Sequence, residues 1–408
     1  MDARRAAELA ARNSYGRLVA YLAARSRDVA AVEDALGDAF LTALKTWAEN
    51  GVPKNPEAWL LVAARHRLID AGRRKQVRDK IFDTFKLNEI ESQTEPSLET
   101  ATFPDDRLKL LFICAHPAID SIIHTPLMLQ TVLGLNAAQI ASAFLVAPTT
   151  MSQRLVRAKT KIRDAGIAFE LPAAKELPIR LAAVLEAIYA AYTNAWETVD
   201  GGDSRHRGLA EEAIWLARLC VQLMPQEPEA RGLLALMLYC EARRDARRTA
   251  SGAYIPLLQQ DIKLWSQPTI AEAEAELSQA ATFKQMGRFQ LEAAIQSIHS
   301  QRAVTEQVNW EALALIYEGL IQLSPTLGAL VSHAAAIAEA KGLEQGFARL
   351  NALPTEAVKN YQPYWALKAH LLKQLGYKSE ARQAYARAIG LTEDSAIREF
   401  LLHQSLPL

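Results

Sequence analysis

The sequence predicts an all-α protein built from more than one domain. Ala, Leu, Glu, Arg and Gln dominate its 408 residues, and no segment shows the period-2 alternation of β-branched residues that marks a strand. The breakers are widely spaced, at Gly51-Val52-Pro53, Pro104, Leu171-Pro172, Gly201-Gly202, Pro225, Pro325 and Pro354, so long helices fit between them. The length allows two or three ordinary domains.

Composition narrows the function. No glycine-rich phosphate loop is present, and the histidines, among them His66, His116 and His124, fall singly on helical patterns. The expectation is a protein that is no enzyme and needs no cofactor. Cys114 and His116 on one short segment do not make a closed metal site. Three widely spaced cysteines, Cys114, Cys220 and Cys240, form no disulfide framework, which points to a reducing compartment. The longest apolar run, Leu233 to Cys240, is too short for a membrane span. The N-terminus lacks the apolar core of a signal peptide. A soluble cytoplasmic protein with no membrane partner is expected.

The formal net charge is zero, but the charge is unevenly placed. Residues 28–47, "DVAAVEDALGDAFLTALKTW", set Val32, Ala35, Leu36, Ala39, Phe40, Ala43 and Leu44 in one helical stripe. Glu33, Asp34 and Asp38 form an acidic cluster outside it. The next helix, "NPEAWLLVAARHRLIDAGRR", has Asn55 as N-cap, Pro56 at the first position and Glu57 in the first turn. Leu60, Ala63, Ala64 and Arg67 share a stripe. Seven Lys or Arg stand between Arg65 and Lys80, against Asp70 and Asp79. Such a run is either a solvated helix face or a phosphate-binding surface. An acidic connector follows at 81–104, carrying Asp83, Glu89, Glu91, Glu95 and Glu99.

The second basic block, Leu135 to Gly166, has the length and pattern of a helix-turn-helix. The first helix starts near Ala137 and turns Ile140, Ala141 and Phe144 inward. Leu145, Val146 and Ala147 make the turn, and the second helix starts at about Pro148 to Thr150. Met151, Leu155, Ala158 and Ile162 stack on one face of it. Thr149, Thr150, Gln153, Arg157, Thr160 and Lys161 lie on the opposite face, with Arg154 at its edge. From Thr149 to Arg163 there are five basic residues and no acid. Polar residues near the N-terminus with basic ones beyond suit base reading followed by phosphate anchoring; a bundle helix with a basic exposed face would show the same composition.

Residues 171–408 read as stacked helical hairpins. In "YWALKAHLLKQLGYKSEARQAYARAIGL", Trp365, Ala369, Gly376, Ala381, Tyr385 and Ala388 fall at the offsets of a TPR unit. Glu393 stands where the closing proline of such a unit would be.

Taken together, these segments resemble the extracytoplasmic-function sigma factors of the sigma-70 family. Residues 14–75 resemble their region 2 and residues 105–166 their region 4, the latter through "DDRLKLLFICAHPAI" and "ASAFLVAPTTMSQRLVRAKTKIRDAGI". The extension opening "LPIRLAAVLEAIYAAYTN" resembles that of the subgroup with TPR-like repeats. The resemblance implies four parts: a region 2 domain at 1–80, a linker at 81–104, a region 4 helix-turn-helix domain at 105–170 and a TPR-like domain at 171–408. It implies that Glu33, Asp34 and Asp38 dock on the β′ clamp helices of core RNA polymerase, with region 4 at the β flap. Trp59, Arg65, Arg67, Arg73 and Arg74 would hold the −10 element of promoter DNA. Thr149, Thr150, Gln153, Arg154, Arg157 and Lys161 would serve the −35 element. The C-terminal part would control activity by docking on its own chain or on a protein partner. Pro148 falls one position later than the family pattern. The segment Gln260-Asp261-Ile262-Lys263-Leu264-Trp265 lacks the arginine that the subgroup carries where Ile262 stands. A stand-alone helix-turn-helix regulator with a TPR-like sensor domain is the alternative, though it would need neither the acidic helix nor the Trp59 helix. A TPR scaffold would leave the basic face of the second helix-turn-helix helix without a purpose.

Overall fold

Short capping signals set most helix ends. Helix α1 (Ala3–Ser26) stops where Arg27 takes a left-handed φ of 56°. Asp28 then caps α2 (Val29–Asn50), its carboxylate accepting the Ala31 N–H at 3.1 Å. Gly51, at φ 85°, ends α2, and Asn55 caps α3 (Pro56–Arg78) through the Ala58 N–H at 3.0 Å. This computed structural model describes residues 3–78, 105–132, 134–144, 146–173, 175–197 and 204–406. No strand occurs among them; Arg248 and Tyr254 form an isolated antiparallel bridge. The protein is all-α, as its sequence predicts. The acidic connector at 81–104 and the Gly201-Gly202 break lie outside the described residues.

The chain divides into two compact units, residues 1–199 with 203–216, and residues 200–202 with 217–408. In the first, α1, α2 and α3 pack on one another around Leu18, Val19, Val32, Leu36, Ala39, Leu60 and Ala64, all fully buried. The α2 stripe runs on to buried Trp47 rather than to Leu44, which is exposed. Four further turns of helix carry the stripe from Val32 to Trp47, and Leu44 falls off that line. On α3 the buried line passes through Leu61 and Leu68 while Arg67 is exposed, because Leu60, Ala64 and Leu68 keep the four-residue spacing that Arg67 breaks.

Within the same unit follow α4 (Arg107–Cys114), α5 (Ser121–Thr131), α6 (Ala137–Ala143), α7 (Pro148–Asp164), α8 (Leu177–Glu197) and the start of α9 (Ser204–Leu223). Helix α4 is buried from Leu110 to Cys114. Asp120 caps α5. Asn136 caps α6, accepting the Ala138 and Gln139 N–H groups, while Gln139 reaches back to the Asn136 N–H. That reciprocal pair fixes the start of the helix.

The second unit is a succession of packed helices: α10 (Pro228–Ala242), α11 (Gln267–Thr282), α12 (Arg288–Thr305), α13 (Trp310–Leu323), α14 (Leu327–Lys341), α15 (Leu343–Asn351), α16 (Thr355–Val358), α17 (Gln362–Gln374), α18 (Lys378–Gly390) and α19 (Ser395–Ser405). Helix α10 crosses α12 at Gly232, where an added Cβ would come within 2.7 Å of the Gln290 backbone nitrogen. Glu229 on α10 caps α12 by accepting the N–H groups of Phe289 and Gln290. The hairpin of α17 and α18 turns at Gly376, φ 85°. Its Ala369, Ala381, Tyr385 and Ala388 share one buried cluster with Leu372 and Leu401, against which Trp365 packs. The predicted small and aromatic offsets are thus the contact positions of a helical hairpin.

Candidate nucleic-acid interface

The turn between α6 and α7 places a basic helix face in solvent. Pro148 occupies the first position of α7, where its missing N–H costs nothing. Met151, Leu155, Ala158 and Ile162 are buried beneath it, as the stacking predicts. Ile140 and Ala141 of α6 are fully buried, but Phe144 is exposed at 36%. The helix has ended at Ala143, so Phe144 leaves the inward stripe; Leu145 lies outside the described residues. On the far side of α7, Thr149, Thr150, Gln153, Arg154, Arg157 and Lys161 are all exposed. Thr149 and Thr150 lie in the first turn, where unsatisfied N–H groups and the helix dipole favour anions.

On α3, Trp59 is half-buried and meets Trp47 edge to face, ring centroids 5.5 Å apart. Its ring therefore works in part as core. Arg67 is exposed and donates to Thr42 Oγ1 at 3.4 Å, while Arg73 is exposed and Arg65 half-buried. The Arg74 side chain lies outside the described residues.

The acidic cluster of α2 is split. Asp34 and Asp38 are exposed, whereas Glu33 forms an ion pair with Lys159 of α7. Burial raises the Glu33 carboxyl above its usual range, against the opposing pull of Lys159. Burial, with the nearby charges of Glu33 and Asp34, raises the hydroxyl of Tyr15 on α1. Lys159, only 8% exposed, is absent from the predicted set. Its four-residue step from Leu155 already places it on the inward side of α7. A longer pair, Arg163–Asp28 at 3.9 Å, joins α7 to the cap of α2, and Arg25–Asp106 at 3.7 Å joins α1 to the start of α4.

Cys114 lies buried with its Sγ 3.5 Å from Thr131 Oγ1, and burial pushes its thiol up to about 12. His116 Nδ1 accepts the Ala118 N–H. Among the described residues no group of three or more His, Cys, Asp or Glu is placed to hold a metal, and no helix is long and apolar enough to cross a membrane.

In the second unit the Gln260–Trp265 segment is held by another arginine. Arg302 of α12 donates to the carbonyls of Leu258 and Gln260 and lies over the Trp265 ring at 5.2 Å. Burial, aided by the nearby charges of Arg243 and Arg302, keeps the His299 imidazole uncharged down to about 4.

Residues 11–78, the segment of α1, α2 and α3, match the model of sigma-70 region 2. The match supports a sigma-70 relationship for this segment and, at the level of that family, implies binding to core RNA polymerase and promoter DNA. Residues 180–281 match a family of unknown function (DUF6596). A protein of Rhizobium meliloti (strain 1021), described as uncharacterized, is 37% identical over 392 residues, covering 95% of this chain and 92% of that protein; the two belong to one family along nearly their whole lengths. No solved structure matches.

Proposed function

We propose that the protein is a sigma factor of the extracytoplasmic-function type. It binds core RNA polymerase, selects promoters with two helical regions and contributes no catalytic residue of its own. The observation that carries this reading is the pairing, within one compact unit, of a sigma-70 region 2 with a helix-turn-helix whose second helix exposes an acid-free basic face. In this reading Asp34 and Asp38 dock on the β′ clamp helices. Arg65, Arg67, Arg73 and Arg74 neutralise phosphates around the −10 element, each adding a salt-dependent increment, with Trp59 beside them. Thr149, Thr150, Gln153 and Arg157 read the −35 element, and Arg154 and Lys161 anchor its backbone, with region 4 against the β flap. The C-terminal hairpins, TPR-like in their repeat offsets, regulate this activity by engaging their own chain or a protein partner. The site of action is the cytoplasm, with the polymerase.

Run-off transcription with purified bacterial core RNA polymerase on pooled genomic fragments tests the reading. The full chain is run beside residues 1–170. Transcripts that depend on the protein are expected, and the difference between the two gives the sign of C-terminal control. DNA binding without any transcript would replace this reading with that of a stand-alone regulator.

A further inference from the structure

We propose that the second unit carries a binding site for a small oxyanion, a carboxylate or phosphate that also bears a hydroxyl group. The site lies where the Gln260–Trp265 segment meets the end of α10 and one side of α12, and it is independent of the sigma-factor reading. The segment is fixed from both helices. The Ser266 N–H donates to the Ala242 carbonyl at the end of α10, at 2.8 Å, and Arg302 of α12 donates to the Leu258 and Gln260 carbonyls. Arg243, the residue after α10, donates to the Gln296 side chain of α12. Gln296, His299 and Arg302 follow at three-residue steps, so they are neighbours along the surface of that helix.

At this junction the Trp265 Nε1, the Gln260 Oε1 and the His299 Nδ1 are buried and have no hydrogen-bond partner among the described residues. Trp265 is 3% exposed and Gln260 7%. Buried polar atoms are nearly always paired, because leaving one unpaired forfeits its hydration. The indole nitrogen can only donate and the amide oxygen can only accept. A ligand that satisfies both therefore needs an acceptor and a donor: the oxyanion is the first and its hydroxyl the second.

The charge around the junction has the matching sign. Arg243 and Arg302 hydrogen-bond to neutral groups only, the Gln296 side chain, the Cys240 sulfur and the two carbonyls. Neither forms an ion pair with a carboxylate among the described residues. Arg244 and Arg248 nearby are paired, with Glu241 and Asp394. Burial, with the neighbouring charges of Arg243, Arg244 and Arg248, lowers Arg247 to about 10, a sign of crowded positive charge. A guanidinium presents its N–H groups in a fork that fits the oxygens of a carboxylate or phosphate. The Trp310 ring of α13 meets the His299 imidazole edge to face, centroids 6.1 Å apart, and forms an apolar wall behind it.

The test follows the His299 imidazole resonance of the full chain by NMR, identified by its loss in His299→Phe. Inorganic phosphate, malate and succinate are added separately at constant ionic strength. A saturable shift is expected with phosphate or malate, and the titration midpoint of His299 should move upward, since an anion offsets the two arginines that oppose its protonation. Phosphate alone acting would assign a phosphoryl ligand; malate alone would assign a hydroxycarboxylate. Arg302→Met removes one guanidinium together with its hold on the segment, whereas Arg243→Gln removes the other and leaves those carbonyl contacts in place. Each should weaken binding about tenfold, the scale of one charge-assisted hydrogen bond. A resonance unmoved by all three anions, or equal binding by parent and both variants, would overturn the site. Equal binding of malate and succinate, which lacks the hydroxyl, would overturn the role given to Gln260.

Discussion

The two basic helices α3 and α7 differ in what covers their inner faces. Helix α3 buries Leu60, Leu61 and Ala64 against α1 and α2, partners that precede it directly in the chain. Helix α7 buries its Met151–Ile162 line, and it adds a charged residue, Lys159, that meets a helix more than a hundred residues away in sequence. A similar composition therefore serves two kinds of contact. One is local and apolar; the other is distant and ionic.

The largest effect should come from the apolar side. Leu60→Ala, at a fully buried position, should cost about 2–5 kcal/mol of stability, read by denaturant unfolding. A smaller loss would mean that α3 is less firmly seated than its burial indicates. Next comes the outer face of α7. Arg157→Ala should weaken promoter binding by about 1–3 kcal/mol while leaving the unfolding midpoint unchanged, and Asp38→Ala should weaken core polymerase binding but not DNA binding. An equal loss in both assays for either variant would erase the proposed division of labour between the helices.

A finer contrast lies in salt dependence. Arg73→Ala on α3 should lower affinity uniformly across promoter sequences and reduce the salt slope by about one; a sequence-selective loss would place Arg73 at a base instead. The smallest effect concerns the second unit. Folded His299 stays neutral down to about 4, whereas its ordinary value is 6.5. As pH falls through that window the unfolded chain takes up the proton first, so stability drops. Above it neither state is charged and the dependence vanishes. His299→Phe should flatten the fall in melting temperature between pH 7 and 5, and an unchanged slope would show that other groups set it.

Periodicity and capping chemistry determined much by themselves. The helical class, the Asn55-Pro56 start of α3, the four buried positions of α7, its exposed polar face and the α17–α18 hairpin are all short-range consequences of the 3.6-residue repeat and of who can cap whom. Trp47 and Leu68 show the limit of that logic, because stripe edges depend on which neighbour the helix leans against. Only the tertiary structure decided that Glu33 meets Lys159 and that Arg302 holds the Gln260–Trp265 segment where a local arginine is missing. These are contacts between residues from 42 to 126 positions apart. Charge and size at a single position say what a side chain can bind, but not which distant backbone will bring its partner within reach.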